Sequence, residues 1–180
     1  MSNAGISQEY PRVLLSADQI HKRVQEIARQ ISADFRAKTL YVVCVLENAF
    51  IFMADLVREL EIPVVCQFVK PQFKDTNAST TEIFFSPEVD VQNQHVLLVE
   101  ALVQSGITSE FLMRHLASRG AASVKLAVLL DKQSARRVPL QPDYFGFLMN
   151  ESFVVGYGLG ASEFGRNLPY IAARAKAPEP

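Results

Sequence analysis

A chain of 180 residues, 49% of them apolar and with a formal net charge of −1, is long enough to bury a full core and too apolar to be disordered. The near-neutral balance and the absence of a basic block exclude a general binder of nucleic acid, so any anion site has to be local. The two cysteines, Cys44 and Cys66, fall in separate apolar runs and read as small core residues in a reducing compartment, not as a disulfide or a metal pair.

Residues 1 to 10 read as a flexible N-terminus, 11 to 172 as one domain and 173 to 180 as a flexible tail. With no charged-then-apolar leader and no apolar run of membrane-spanning length, a cytoplasmic protein away from membranes is expected. Arg12 to Leu15 is a short strand, and Ser16 with Gln19 three residues later is a capping-box signal for the helix after it. Ile20, Val24, Ile27 and Ile31 give that helix one apolar stripe. Leu40 to Leu46 is continuously apolar, as in a strand buried on both faces, and Glu47-Asn48 breaks it before a helix from Ala49 to Leu60. This helix carries Phe50, Ile51, Phe52, Met53, Leu56, Val57 and Leu60, more apolar surface than one stripe needs, which suits a partner subunit. Pro63 opens a strand through Val69. Residues 70 to 81 are polar, Pro-interrupted and without period, which predicts a long loop, either a lid or a solvated excursion. Ile83 to Phe85 resumes extended structure, and Pro87 to Gln94 is a turn region.

Residues 95 to 108, His-Val-Leu-Leu-Val-Glu-Ala-Leu-Val-Gln-Ser-Gly-Ile-Thr, read as strand, tight loop and helix. Ser105, Gly106 and Thr108 are small enough to let backbone N–H groups converge where a helix starts. The local pattern fits both a plain α/β connection and a nest for a phosphate. The helix from Ile107 to Ser118 is predicted to turn Ile107, Phe111, Leu112 and Leu116 inward, with Gly120 just past its end. Ser123 to Leu130 is another buried strand, and Asp143 to Met149 and Phe153 to Leu159 are extended. Strands alternating with helices predict an α/β fold on a parallel sheet, with ligands at the carboxyl ends of its strands. His21, His95 and His115 lie on separate elements without metal spacing.

Four segments together resemble the hypoxanthine-guanine phosphoribosyltransferases, which are type I phosphoribosyltransferases. They are Val-Leu-Glu-Asn-Ala-Phe-Ile-Phe-Met-Ala-Asp-Leu at 45 to 56, the central stretch at 96 to 108, Leu-Leu-Asp-Lys at 129 to 132, and Asp-Tyr-Phe-Gly-Phe with Phe-Val-Val-Gly-Tyr-Gly-Leu at 143 to 147 and 153 to 159. Their order and spacing match the family from Val13 to Ile171. The resemblance implies a parallel core sheet flanked by helices, a small hood over the base site, and a homo-oligomer, dimer or tetramer. It also implies a reaction, in which ribose 5-phosphate moves from phosphoribosyl pyrophosphate to a purine nitrogen with the help of magnesium.

By that resemblance Ser105, Gly106, Ile107 and Thr108 hold the 5-phosphate with their N–H groups and hydroxyls. Lys132 donates to the purine 6-oxo group, Phe153 stacks on the base, and Val154 meets its edge through the backbone. Other positions depart from the family. The paired acids for the ribose hydroxyls are here Glu100-Ala101, and Gln104 replaces the acid that handles the purine N7 proton, which an amide cannot accept. Losing a positioned general base costs roughly a hundred- to ten-thousandfold in rate. Gly160 replaces an aspartate that faces magnesium, leaving no confident metal ligand, with Glu163 as a conceivable substitute. Glu47-Asn48 replaces Lys-Gly on the pyrophosphate side, where Arg166 matches the family's arginine, and Gln72-Phe73 replaces the Ser-Tyr of the lid. The pattern points first to a protein that binds a purine nucleoside monophosphate, IMP or GMP, with weak or lost transferase activity, acting as a sensor, regulator or partner subunit. One alternative is an active hypoxanthine phosphoribosyltransferase of purine salvage, with water or Glu100 handling the proton. Another is a structural oligomer subunit without ligand.

Overall fold

The computed structural model describes residues 12–76, 80–84, 89–151, 153–160 and 165–173. In chain order the elements are β1 (Arg12–Leu15), α1 (Ala17–Asp34), β2 (Leu40–Val45), α2 (Phe50–Glu59), β3 (Val64–Val69), β4 (Gln72–Thr76), β5 (Thr80–Phe84), β6 (His95–Val103), α3 (Ile107–Ser118), β7 (Ser123–Asp131), β8 (Tyr144–Leu148), β9 (Val154–Val155) and β10 (Ile171–Ala173). A short 3-10 turn, Gln133–Ala135, follows β7.

The main sheet has five strands in the order β3-β2-β6-β7-β8, every neighbouring pair parallel. Its central strand, β6, is buried along nearly its whole length because both faces are covered. Leu97, Val99 and Ala101 share one core cluster with Val24 and Ile27 of α1 and Phe52 of α2. Val96 and Leu98, pointing the other way, share a second cluster with Val103 at the strand's end and with Leu112 and Leu116 of α3. A smaller antiparallel sheet, β1-β10-β9, forms the hood and brings the two ends of the described chain together.

The capping box at the start of α1 is present in both directions: Ser16 Oγ accepts from Gln19 N at 3.2 Å, and Gln19 Oε1 accepts from Ser16 N at 2.9 Å. Ile20, Val24, Ile27 and Ile31 are all buried. At the amino edge of the sheet, Tyr144 donates its hydroxyl to Asp34 at 2.6 Å, and Lys125 donates to both at 3.0 Å, tying α1 to β7 and β8.

Several expectations change. Residues 70 to 81 do not form a continuous loop: β4 and β5 pair as an antiparallel hairpin, Gln72 opposite Phe84 and Thr76 opposite Thr80. β-branched Thr76, Thr80, Thr81 and Ile83 favour extended backbone despite the polarity. Cys66 is exposed, because β3 is an edge strand that buries only Val69 fully, whereas Cys44 on β2 is buried and its thiol is pushed up to about 12 by desolvation. Ile107 and Phe111 face outward while Leu112 and Leu116 face the sheet. Ile107 is the first residue of α3, before the buried stripe begins, and Phe111 stacks on His115. Within 153 to 159 only Val154–Val155 is strand, since Gly156 and Gly158 take positive φ and turn the chain. The surplus apolar surface of α2 is largely absorbed by the chain's own core, with Phe50 left exposed. Glu163 and the terminal segments lie outside the described residues.

Candidate active site

The sheet's strand order reverses between β2, which leads outward to β3, and β6, which leads the other way to β7. The crevice at the carboxyl ends of two such strands is where open α/β sheets take ligands. Here it holds a cavity of about 70 Å³ lined by Val45, Leu46, Asn48, Glu100, Ala101 and Leu102.

One wall is the loop between β6 and α3. Gly106 occupies the N-cap position with φ +79, where no side chain caps the helix. Ser105 Oγ lies 3.4 Å from Ile107 N. The first-turn N–H groups of α3 are uncapped by any side chain and lie at the positive end of a helix dipole, with Ser105 and Thr108 on either side of Gly106-Ile107 in the chain. Glycine is required at 106 on two counts. The left-handed backbone is unfavourable for other residues, and a β-carbon there would lie 3.0 Å from both Arg136 Cδ and Val138 Cγ2. The segment after β7 pins this loop from behind, with Lys132 N donating to Val103 O and Arg137 N to Ser105 O, each at 2.9 Å. Gln104, at the lip, is exposed.

The second wall carries Lys132, whose ammonium donates to the backbone oxygen of Glu151 at 3.1 Å. That contact brings it to the segment leading into the hood, where Phe153 is 63% exposed and Val154 enters β9. Phe153 is therefore not a core residue but an exposed aromatic ring, two residues along the chain from the Glu151 carbonyl that Lys132 contacts.

On the opposite side, Arg166 donates to Asn48 Oδ1 and, at 2.9 Å, to Gly158 O. Glu47 lies 4.0 Å from Arg166 and 2.5 Å from Lys70 at the end of β3. The Lys70 ammonium holds the Glu47 carboxyl below the usual carboxylate range. Glu47, Asn48 and Arg166 are thus brought together as the sequence suggests, with Lys70 as a fourth member that it did not single out. Gly160, partly exposed, offers no side chain, and among the described residues no group of three or more His, Cys, Asp or Glu residues could hold a metal ion.

Glu100 lies at the centre, only 9% exposed. Desolvation pushes its carboxyl up to about 7, against the opposing pull of a Ser109 hydrogen bond and the Arg136 charge. Its Oε1 is buried without a hydrogen-bond partner. Because the folded state holds this proton from pH 4.5 up to about 7 and the unfolded state does not, stability falls as pH rises through that window and levels off above it. Glu100→Gln is therefore expected to gain on the order of 2–3 kcal/mol over the parent at pH 8, with little difference at pH 4. Urea melts at the two pH values measure this, and an equal shift at both would refute the assignment.

Asp131, although inside the Leu-Leu-Asp-Lys segment, and Ser109, Lys70 and Arg136 carry no assigned role in the sequence. A signal existed for one pair: Asp131 closes an apolar strand, and a carboxylate buried there requires a cation nearby, which the Arg136-Arg137 dipeptide supplies.

The chain matches the family described as phosphoribosyl transferase domain over residues 14–162. It is 36% identical over 165 residues to the hypoxanthine phosphoribosyltransferase of Haemophilus influenzae, covering 88% of this chain and 92% of that protein. It is 34% identical over 172 residues to the bifunctional protein TilS/HprT of Listeria innocua, a match that takes 94% of this chain but spans only 26% of the longer protein. A crystal structure of a hypoxanthine-guanine phosphoribosyltransferase from Bacillus anthracis superposes with a TM-score of 0.86 at 33% identity, covering 93% of this chain and 99% of that one.

Proposed function

Since this chain belongs to the phosphoribosyl transferase domain family, in its hypoxanthine-guanine phosphoribosyltransferase branch, we propose that it transfers ribose 5-phosphate from phosphoribosyl pyrophosphate to a 6-oxopurine, hypoxanthine or guanine. The observation that carries the reading is the donor nest of the 104–108 loop standing beside the Glu100 cavity, with Lys132 and Phe153 on one side and Arg166 on the other. The nest receives the 5-phosphate. Glu100 Oε1, a buried acceptor in need of a donor, takes a ribose hydroxyl. Lys132 donates to the 6-oxo oxygen while Phe153 covers the ring, and the backbone of Val154 meets its edge. The purine nitrogen bonds to the anomeric carbon, and the carbon–oxygen bond to pyrophosphate breaks with its electron pair leaving on pyrophosphate. Arg166 and Lys70 face that leaving group and draw it once Glu47 gives way. The proton shed by the purine passes to water, because the Gln104 amide does not accept it.

The magnesium that the family resemblance implies finds no fitting set of ligands among the described residues, where Gly160 contributes no carboxylate. No step of the transfer is routed through it. A homo-oligomer, a single domain over residues 11–172 and a cytoplasmic location belong to the same proposal; no described helix is long and apolar enough to cross a membrane.

Gln104 and the Glu47–Lys70 pair favour a second reading, a nucleoside monophosphate binder without turnover. Relatives named as transferases weigh toward activity. Turnover of hypoxanthine and guanine with phosphoribosyl pyrophosphate and magnesium decides between the two. We expect a slow rate above the no-enzyme control, together with magnesium-independent binding of IMP. Binding without turnover at high enzyme concentration would establish the second reading, and neither would leave a structural subunit.

A further inference from the structure

Asp131 ends β7 with 1% of its surface exposed, and two donors reach it: Gln133 Nε2 at 3.2 Å and the Arg136 guanidinium. The rest of the Arg136 side chain does not run to solvent. Its Cδ and Nη1 lie against Gly106, 3.0 and 3.1 Å from where a β-carbon would stand, and Nη1 is buried with no hydrogen-bond partner. A guanidinium is expensive to bury with a donor unused, since each unsatisfied buried group costs about 1–3 kcal/mol. The fork geometry explains the arrangement: one nitrogen is fixed by a carboxylate while the plane and stem press on the loop. The next residue adds a second tie, Arg137 N to Ser105 O at 2.9 Å, and Val138 closes over the same glycine.

We propose that Arg136 is a positioning residue that braces the 104–108 loop against the buried carboxylate of Asp131, holding Gly106 in its left-handed conformation and so fixing the direction of the N–H groups that face the phosphate. The inference rests on the nucleotide reading of that nest. It goes further by assigning phosphate affinity to a side chain on another strand's loop, one that lies behind Gly106. The guanidinium is neutralised by Asp131, so its contribution is geometric: Gly106 cannot move toward it without displacing a side chain held by a buried carboxylate.

Calorimetric titration of the full chain with IMP and with inosine tests this, because the two ligands differ only in the phosphate. Arg136→Met is expected to weaken IMP ten- to hundredfold and to leave inosine within twofold of the parent. Arg136→Lys, which can still pair with Asp131 but loses the fork, should recover part of the IMP affinity. Asp131→Asn removes the anchor without opening a cavity and is expected to weaken IMP in the same selective way, which keeps the test decisive if the methionine variant does not fold. Equal losses for IMP and inosine, or an IMP affinity unchanged by both Arg136→Met and Asp131→Asn, would overturn the assignment. If the parent itself fails to bind IMP, it is the nucleotide reading that falls.

Discussion

Aspartate in place of Gln104 is expected to raise the turnover of hypoxanthine about a hundredfold, within the range that a positioned general base contributes. Gln104 stands at the lip of the phosphate loop with an exposed side chain, so a carboxylate there is solvated and carries no large burial cost. It would accept the proton that the amide leaves to water. The new carboxylate also adds a negative charge beside the 5-phosphate nest, so KM for phosphoribosyl pyrophosphate should rise several-fold while kcat climbs. Steady-state kinetics against pH separate the two effects: Gln104→Asp should show an acid limb, with the rate falling below about pH 4, near the ordinary aspartate pKa. A kcat within twofold of the parent, with no new limb, would mean that proton transfer at this position does not limit the rate.

The second large effect is a loss. Gly106→Ala puts a β-carbon 3.0 Å from Arg136 Cδ and Val138 Cγ2 in a backbone at φ +79. The left-handed conformation alone costs a substituted residue roughly 1–2 kcal/mol. The contacts demand a further shift of the loop or of the guanidinium behind it. Because the anion would be held by several N–H groups converging on one point, a displacement of a few tenths of an ångström misaligns them together. IMP affinity is expected to fall by about two orders of magnitude, close to 2.8 kcal/mol. The lost global stability should be smaller, about 1–2 kcal/mol, since the loop lies at the edge of the core. Calorimetry and urea denaturation give the two numbers. Retention of parental IMP affinity would show that the loop does not grip the phosphate.

What was legible in the sequence was what short-range rules write into neighbouring residues. Ser16 and Gln19 are three apart, and their mutual capping is a local hydrogen-bond exchange. The apolar runs of β2, β6 and β7 and the small-residue loop at 105 to 108 also declare themselves within a few positions, and the family resemblance linked them in order. The hairpin of β4 and β5 was missed because polar composition masks the extended preference of its threonines. Other features depend on distances that no local pattern carries. Asp34 meets Tyr144 and Lys125 only after the sheet assembles, and Lys70 reaches Glu47 because β2 and β3 run parallel with Val45 level with Val69. Arg136 lies close to Asp131 in sequence, yet its role depends on β7 lying beside β6, so that the segment after one strand reaches the loop after the other.

The ion pairs of Glu47 bear on how fast a ligand arrives as well as how tightly it stays. Lys70 and Arg166, two cations on that side of the cleft, share the one carboxylate of Glu47, so the net positive charge they present to solvent is about halved. A polyanion diffusing past is steered less than two free cations would steer it, and on arrival it has to compete with Glu47 for its partners. Added salt ordinarily slows the capture of a charged ligand, but here it also loosens the internal competitor, and the two tendencies oppose. The entrance favours discrimination at short range: an anion is held there only if it can displace a tethered carboxylate in place.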